Sequence, residues 1–463
     1  MQLKRKRHIA QALGAMTAQL LAATAAHAAG DPGTDQSSDT SFLDNQSDNG
    51  TVKWDSTVLF YKEDNSRVQA IEPVMSLDIT DMEGDVVHVQ ATYDSLTGAT
   101  PNGAVPWYAT QTFVTPSTVT TSTTTTVTGA SGGSQLVVDP VTSLVTRQYT
   151  ADPNTLPVDS GFRDHRFALE GSYSYVWNPE TKLSGGAYVS KERDYWSVGL
   201  NGGIVKDFNH HNTTLSLTGN VEFATSNPAF GTPTPFATMD GTLKGPSQGK
   251  GTYTGLIGLT QAMNRHWLLQ LTYSATLVKG YQTDPYRILS VVDPTTGAPQ
   301  SYVYEGRPRH RFRQSLTLAN KFAFGPTTTS LSGRYYHDSW GISAIDGEVS
   351  ERIDFSNSFY IEPGFRYYHQ TAANFFTNYL VAGAAFPDYA SSDSRLGRFN
   401  AKTFDLLIGY KFAKDAEFYV EGDRYKQTGQ HYYADAPGAL ANQDLFSGVS
   451  ATSVMAGLRF TMR

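Results

Sequence analysis

Four arginines stand at alternate positions, Arg307, Arg309, Arg311 and Arg313, with Phe312 between the last two. Alternate side chains of an extended chain share a face, so this spacing predicts a ladder of cations along one side of a strand. Glu417, Glu421 and Asp423 repeat the pattern with the opposite sign, against Phe418 and Val420 on the other face. Arg459 stands opposite an apolar row, Val454, Ala456, Leu458, Phe460 and Met462. Opposite charges facing one aqueous space would create a transverse field that selects polar solutes. Paired with one another, the same groups would instead brace the interior.

Other constellations carry less chemistry. His210 and His211 lie near Asp207, but two adjacent histidines diverge on an extended chain, so no metal site is expected. His337-Asp338 and His369 would need Ser339 or Ser343 in register for a hydrolytic triad, and no nucleophile-elbow pattern accompanies them. There is no cysteine, which excludes disulfides, thiolate metal sites and cysteine nucleophiles. No enzyme activity and no cofactor are expected. A net charge of −7 gives no sign of a nucleic-acid partner. Two segments are dense in turn-forming residues. Residues 94–104 include Asp94, Thr97 and Asn102, and residues 280–287 include Asp284, Tyr286 and Arg287. The first could constrict a pore, organise an external cap or simply turn the chain.

The elements that must position these groups are strands. Residues 1–28 read as a cleaved signal peptide: Lys4, Arg5, Lys6 and Arg7, an apolar stretch over 9–25, and small residues Ala26 and Ala28 flanking His27. Residues 29–50 are polar and read as a flexible N-terminus. No later run is long and apolar enough for a membrane helix, which needs roughly 18 residues. Residues 51–463 show segments of alternating polarity instead. Trp267, Leu269, Leu271, Tyr273, Ala275 and Leu277 make one such row, and Phe404, Leu406, Ile408, Tyr410 and Phe412 another. The expectation is an all-β chain, a transmembrane antiparallel β-barrel of about 16 strands (range about 14–18).

The connections sort by parity. Long ones are expected at 95–162, which contains the Thr/Ser tract 115–128, and at 226–250, 279–306, 370–399 and 429–449. Tight turns are expected at 81–85, 178–181, 207–212, 263–265, 325–328 and 413–416. An even number of strands separates any two long connections, so the long ones share one side. Bacterial barrels put short turns in the periplasm and long loops outside. That places both termini in the periplasm. Tyr175, Trp177, Trp267, Phe322, Phe324, Tyr410, Phe412 and Phe418 flank tight turns. Tyr93, Tyr188, Trp196, Tyr335, Trp340, Tyr367 and Tyr368 lie toward the other ends. These groups are expected to form the two aromatic girdles of a membrane barrel. A soluble β-sandwich has no reason for such sorting.

Several stretches carry a resemblance: DSLTGATPNGA at 94–104, NTTL at 212–215, GYQTDPYR at 280–287, RPRHR at 307–311, DSWG at 338–341 and RYYHQTAA at 366–373. Together they resemble the proteobacterial family DUF3570, whose members have no established activity and no assigned functional residues. The resemblance implies an outer-membrane barrel. It also implies, through neighbouring genes for a flavin transferase, a thioredoxin-like protein and a small lipoprotein, an association with periplasmic redox or maturation proteins.

The leading expectation is thus a Gram-negative outer-membrane barrel that passes or binds a small polar solute. Its partners would be outer-membrane lipid, lipopolysaccharide and the barrel assembly machinery. A scaffold docking periplasmic redox-pathway proteins is the alternative, and a barrel-embedded hydrolase is a weaker one.

Overall fold

The computed structural model describes residues 50–65, 67–116, 135–138, 145–228, 231–239 and 245–462. The expected signal peptide, residues 29–49 of the polar N-terminus and residues 117–128 of the Thr/Ser tract lie outside them. The described chain forms one closed antiparallel barrel of sixteen strands. In order these are β1 (Thr51–Glu63), β2 (Gln69–Thr80), β3 (Val86–Pro101), β4 (Val158–Asn178), β5 (Thr181–Lys191), β6 (Tyr195–Phe208), β7 (Thr213–Ser226) and β8 (Gln248–Asn264). There follow β9 (Trp267–Gly280), β10 (His310–Phe324), β11 (Thr327–Asp338), β12 (Ser343–Asp354), β13 (Phe359–Gln370), β14 (Phe399–Ala413), β15 (Ala416–Gly429) and β16 (Ser450–Met462). Each strand pairs with its chain neighbours, and β16 closes the ring against β1. Closure leaves the barrel wall with no unpaired edge.

Register fixes which side chains look outward. Trp54 of β1 stands level with Leu77 of β2 and Phe460 of β16, while its neighbour Asp55 stands level with Ser76 and Arg459. The period of two then separates the faces all the way round. Outward rows include Phe60, Ile71, Leu169, Leu217, Ile257, Leu271, Leu318, Leu331, Ile345, Leu406, Ile408 and Leu458, all exposed. A continuous exposed apolar belt of this size is unstable in water and needs an apolar surround.

At one end the strands are joined by 81–85, 179–180, 209–212, 265–266, 325–326, 355–358 and 414–415. At the other they are joined by 64–68, 102–157, 192–194, 227–247, 281–309, 339–342, 371–398 and 430–449. All five long connections therefore lie at one end, beside the short ones 64–68, 192–194 and 339–342, and the other end carries short turns alone. Trp177, Phe324, Phe412 and Phe418 are exposed near the short-turn end, and Tyr93, Trp196 and Tyr335 near the other. Tyr188, Tyr368 and Trp340 depart from the girdle expected of them. Tyr188 and Tyr368 fall on inward positions, level with Glu170 and Asp346, and Trp340 is buried at the rim.

Most buried apolar residues belong to the long connections, with a smaller group on the wall around Ala344, Tyr368, Phe399 and Ala401. Ile288–Val292 is a fully buried strand, paired antiparallel with Pro299–Tyr304 and parallel with Tyr379–Val381. Ile288 packs with Ala104, Phe113 and Tyr149, Val292 with Val105, Leu440 and Leu445, and Leu289 and Val291 with Leu380 and Ala390. Met239 and Phe236 add the connection 227–247. Five long connections thus share one core. They spring from strands well around the ring from one another, so the body they form must cross the mouth of the barrel. It is a folded cap.

Candidate functional site: a charged lumen beneath a clasped cap

The cap is fastened by ions. Arg307 donates from Nε to Glu305 Oε1 at 2.6 Å and from Nη2 to Asp393 Oδ2 at 2.8 Å. Arg395 Nη2 reaches the same Asp393 oxygen at 2.7 Å, and Arg287 Nε lies 3.7 Å from both Asp393 and Asp284. Ser391 Oγ donates to Glu305 Oε2 at 2.5 Å, and the Asp284 N–H donates to Glu305 Oε1 at 2.7 Å. Three guanidiniums and three carboxylates thus join the connection 281–309 to the connection 371–398. Glu305 and Asp393 are almost wholly buried. Burial alone would raise the Asp393 carboxyl, but the Arg287, Arg395 and Arg307 guanidiniums outweigh it and hold it well below 3.8. At Glu305 burial wins over Arg307 and pushes the carboxyl above 4.5.

Backbone contacts seat the connection 102–157 on the same strand. The Ile288 N–H donates to Asn102 O at 2.9 Å, and the Asn102 amide donates to Tyr149 Oη at 2.9 Å. Gly103 has φ +99, and a Cβ there would stand 2.3 Å from Ile288 O. Only glycine allows that approach. Gly98, at φ +136 beside a register shift, would set a Cβ 2.3 Å from Arg67 O. Residues 94–101 therefore continue β3 rather than forming a loop, and the cap begins at Asn102. Asp94 faces inward and pairs with Arg166, while Thr97 lies exposed on the wall.

Inside the wall the arginine ladder divides. Arg307 belongs to the clasp and Arg309 to the rim, because β10 begins only at His310. Arg309 Nη2 meets Gln248 Oε1 at 3.3 Å. Arg311 is bound to Asp338, Nε to Oδ2 at 2.8 Å, and lies over the Trp340 ring at 4.2 Å. Arg313 is the next inward residue below it. Across the lumen Glu417, Glu421 and Asp423 all face inward on β15. Glu417 accepts from Tyr360, and Asp423 accepts from Ser453 Oγ at 2.7 Å. Arg459 turns to Asp55 of β1 at 2.8 Å. Charges of both signs interleave on the inner face of β10 to β13, where Arg311 pairs with Asp338 and Arg334 and Arg366 pair with Asp346, while acidic side chains predominate on β14 and β15 (Asp405, Glu417, Glu421, Asp423).

The remaining candidates stay apart. Tyr286 Oη reaches Asp194 at the rim. His211 holds Asp207 at 2.9 Å on a turn whose Asn209, His210 and His211 all have positive φ. His337 Nδ1 lies 3.0 Å from Ser343 Oγ, but Asp338 is on the opposite face of the wall and fully engaged, so no triad forms. His369 is held by Asn400 at 2.8 Å.

A family described as "Protein of unknown function (DUF3570)" matches residues 12–460. The chain belongs to this family. No curated protein matches it. Among solved structures it is similar to CdiB from Acinetobacter baumannii, at 8% identity and a TM-score of 0.43, over 88% of this chain and 60% of that one. It is also similar to OccAB1 from Acinetobacter baumannii, at 8% identity and a TM-score of 0.39, over 90% of this chain and 97% of that one. A third is the outer membrane protein OpdK from Pseudomonas aeruginosa, at 8% identity and a TM-score of 0.37, over 90% of this chain and 100% of that one.

Four of the six stretches that carry the DUF3570 resemblance meet at the long-connection end, while NTTL lies at the opposite end. GYQTDPYR supplies Asp284 and Arg287 to the clasp and RPRHR supplies Arg307. DSLTGATPNGA supplies the Asn102–Gly103 seat, and DSWG supplies Asp338 and Trp340 at the rim. The partner residues Asp393 and Arg395 went unremarked in the sequence. They sit in a connection with no periodicity, and nothing marked them as ligands of a distant arginine.

Proposed function

We propose that this DUF3570 member is an outer-membrane barrel whose lumen passes a small polar solute, with access controlled by the cap. The carrying observation is the pair of opposed faces: an apolar exterior, and an interior lined by charged and polar side chains. Sixteen strands enclose a lumen wide enough for an aqueous channel, and its charged and polar lining favours polar solutes. The gathering of the long connections at one end supports a cap outside the cell and short turns in the periplasm. A cavity of about 610 Å³ lies at the cap's edge, lined by Phe376, Tyr379, Arg398, Asn400 and Tyr433 among others. A solute passing between cap and wall would enter there.

Reconstitution in a planar bilayer tests this reading. Discrete conductance steps are expected, and Arg309→Glu should move the reversal potential toward cation preference without loss of folding. Arg309 suits the test because its side chain is exposed and its polar contact is neutral. A bilayer that stays silent with folded protein present contradicts the pore. Co-purification of a periplasmic redox protein with that silent barrel would favour the scaffold instead.

A further inference from the structure

We propose that Arg313, with Lys250 above it, forms an anion-binding step inside the lumen, and that the transported solute is a small hydroxylated carboxylate. The inference rests on the pore reading and names its substrate class.

Arg313 lies on the inward face of β10, level with Thr276 and, through it, Thr254 of β8. Its cross-strand partner is Asp338, but that carboxylate is already consumed. Asp338 Oδ2 accepts from Arg311 and from Tyr336 Oη at 2.7 Å, and Oδ1 accepts the Trp340 and Ile342 N–H groups at 2.9 and 3.1 Å. The next carboxylate, Glu222, is engaged by Tyr188 Oη at 2.5 Å and Tyr195 Oη at 3.3 Å. Among the described residues no carboxylate stands within ion-pair distance of Arg313, and its buried Nε has no hydrogen-bond partner. A buried guanidinium donor left unpaired is costly, and a planar fork of donors matches a carboxylate.

Lys250 is the second cation. It stands on the inward face of β8, level with Ala224, and its Nζ lies 5.0 Å from the centre of the Tyr195 ring. It too has no carboxylate at ion-pair distance among the described residues. It interacts electrostatically with Arg313 and, with opposite sign, with the Glu222 and Glu192 carboxylates. With Arg309 at the rim, three cations step down one side of the lumen, while Arg307 and Arg311, between them in sequence, are spent on structural pairs. The adjoining wall adds neutral hydrogen-bonding groups. Asn220 Nδ2 and Oδ1 and Thr252 Oγ1 are buried without protein partners. Turned toward the lumen, these unpaired groups would complement an anion that also carries hydroxyls.

The test uses gluconate, with sorbitol as its uncharged counterpart, on the full chain in detergent. Saturation-transfer NMR should show gluconate binding and sorbitol not binding. Arg313→Gln should weaken gluconate at least tenfold, Lys250→Gln less, and Arg313→Lys should restore part of the loss. Equal binding of gluconate and sorbitol, or an unchanged affinity in both glutamine variants, overturns the proposal. Conductance without gluconate binding would leave the pore standing and remove the anion step. Gluconate binding in a barrel that never conducts would do the reverse.

Discussion

Asp393→Asn will loosen the cap by about 3–5 kcal/mol, the usual cost of deleting one partner of a buried ion pair. The substitution keeps the shape and removes the charge on which Arg287, Arg307 and Arg395 converge. Arg287 and Arg307 are nearly buried, so their positive charge cannot simply turn to water. Amide exchange over Ile288–Val292 should accelerate roughly a hundredfold or more, since each 1.36 kcal/mol is about tenfold. Unchanged exchange would mean that the apolar core alone holds the cap. The pH dependence follows by sign. Asp393 titrates below 3.8 in the native state, so its ionised form stabilises the clasp at higher pH and is lost as pH falls through the depressed value. Glu305 titrates above 4.5, so its contribution is present below that value and is lost as pH rises through the raised one. The acid limb below 3.8 is the one that Asp393→Asn should abolish.

Asp338→Ala is the second large effect. It removes the acceptor for Arg311, for Tyr336 and for two backbone N–H groups at once. The Arg311–Asp338 pair joins a partly buried guanidinium to a fully buried carboxylate, with side-chain exposures of 17% and 0%. The expected loss is again about 3–5 kcal/mol, concentrated at the rim where Trp340 packs with Ile342, Ala373 and Leu396. Exchange at the Trp340 and Ile342 amides should rise together. Asp338→Asn, which keeps an acceptor for the backbone groups, should cost less. Equal losses in the two variants would shift the weight from hydrogen bonding to the ion pair itself.

The wall was legible because its rule is local. A strand with lipid on one side and water on the other must alternate, and Trp267 to Leu277 or Phe404 to Phe412 display that period without reference to anything distant. Parity of the connections then follows from strand count alone. The cap was illegible for the opposite reason. Ile288, Leu289, Val291 and Val292 form a short apolar run buried on both faces, which carries no period. Its partners come from four other connections, far away in sequence. The arginine ladder was half right. Spacing put Arg311 and Arg313 on the inner face, but the start of β10 at His310 and the capture of Arg307 by Asp393 depend on tertiary neighbours. The sequence shows the height of Tyr188 and Tyr368 along their strands, and height does not say which face a ring takes.

The central claim is a closed barrel built for a membrane, and gel mobility tests it most directly. In dodecyl sulfate without boiling the purified chain should run as a compact band ahead of its boiled form, because a closed ladder of strands resists detergent. A chain that is soluble without detergent and runs identically in both samples would contradict the barrel, and with it the lumen and the solute.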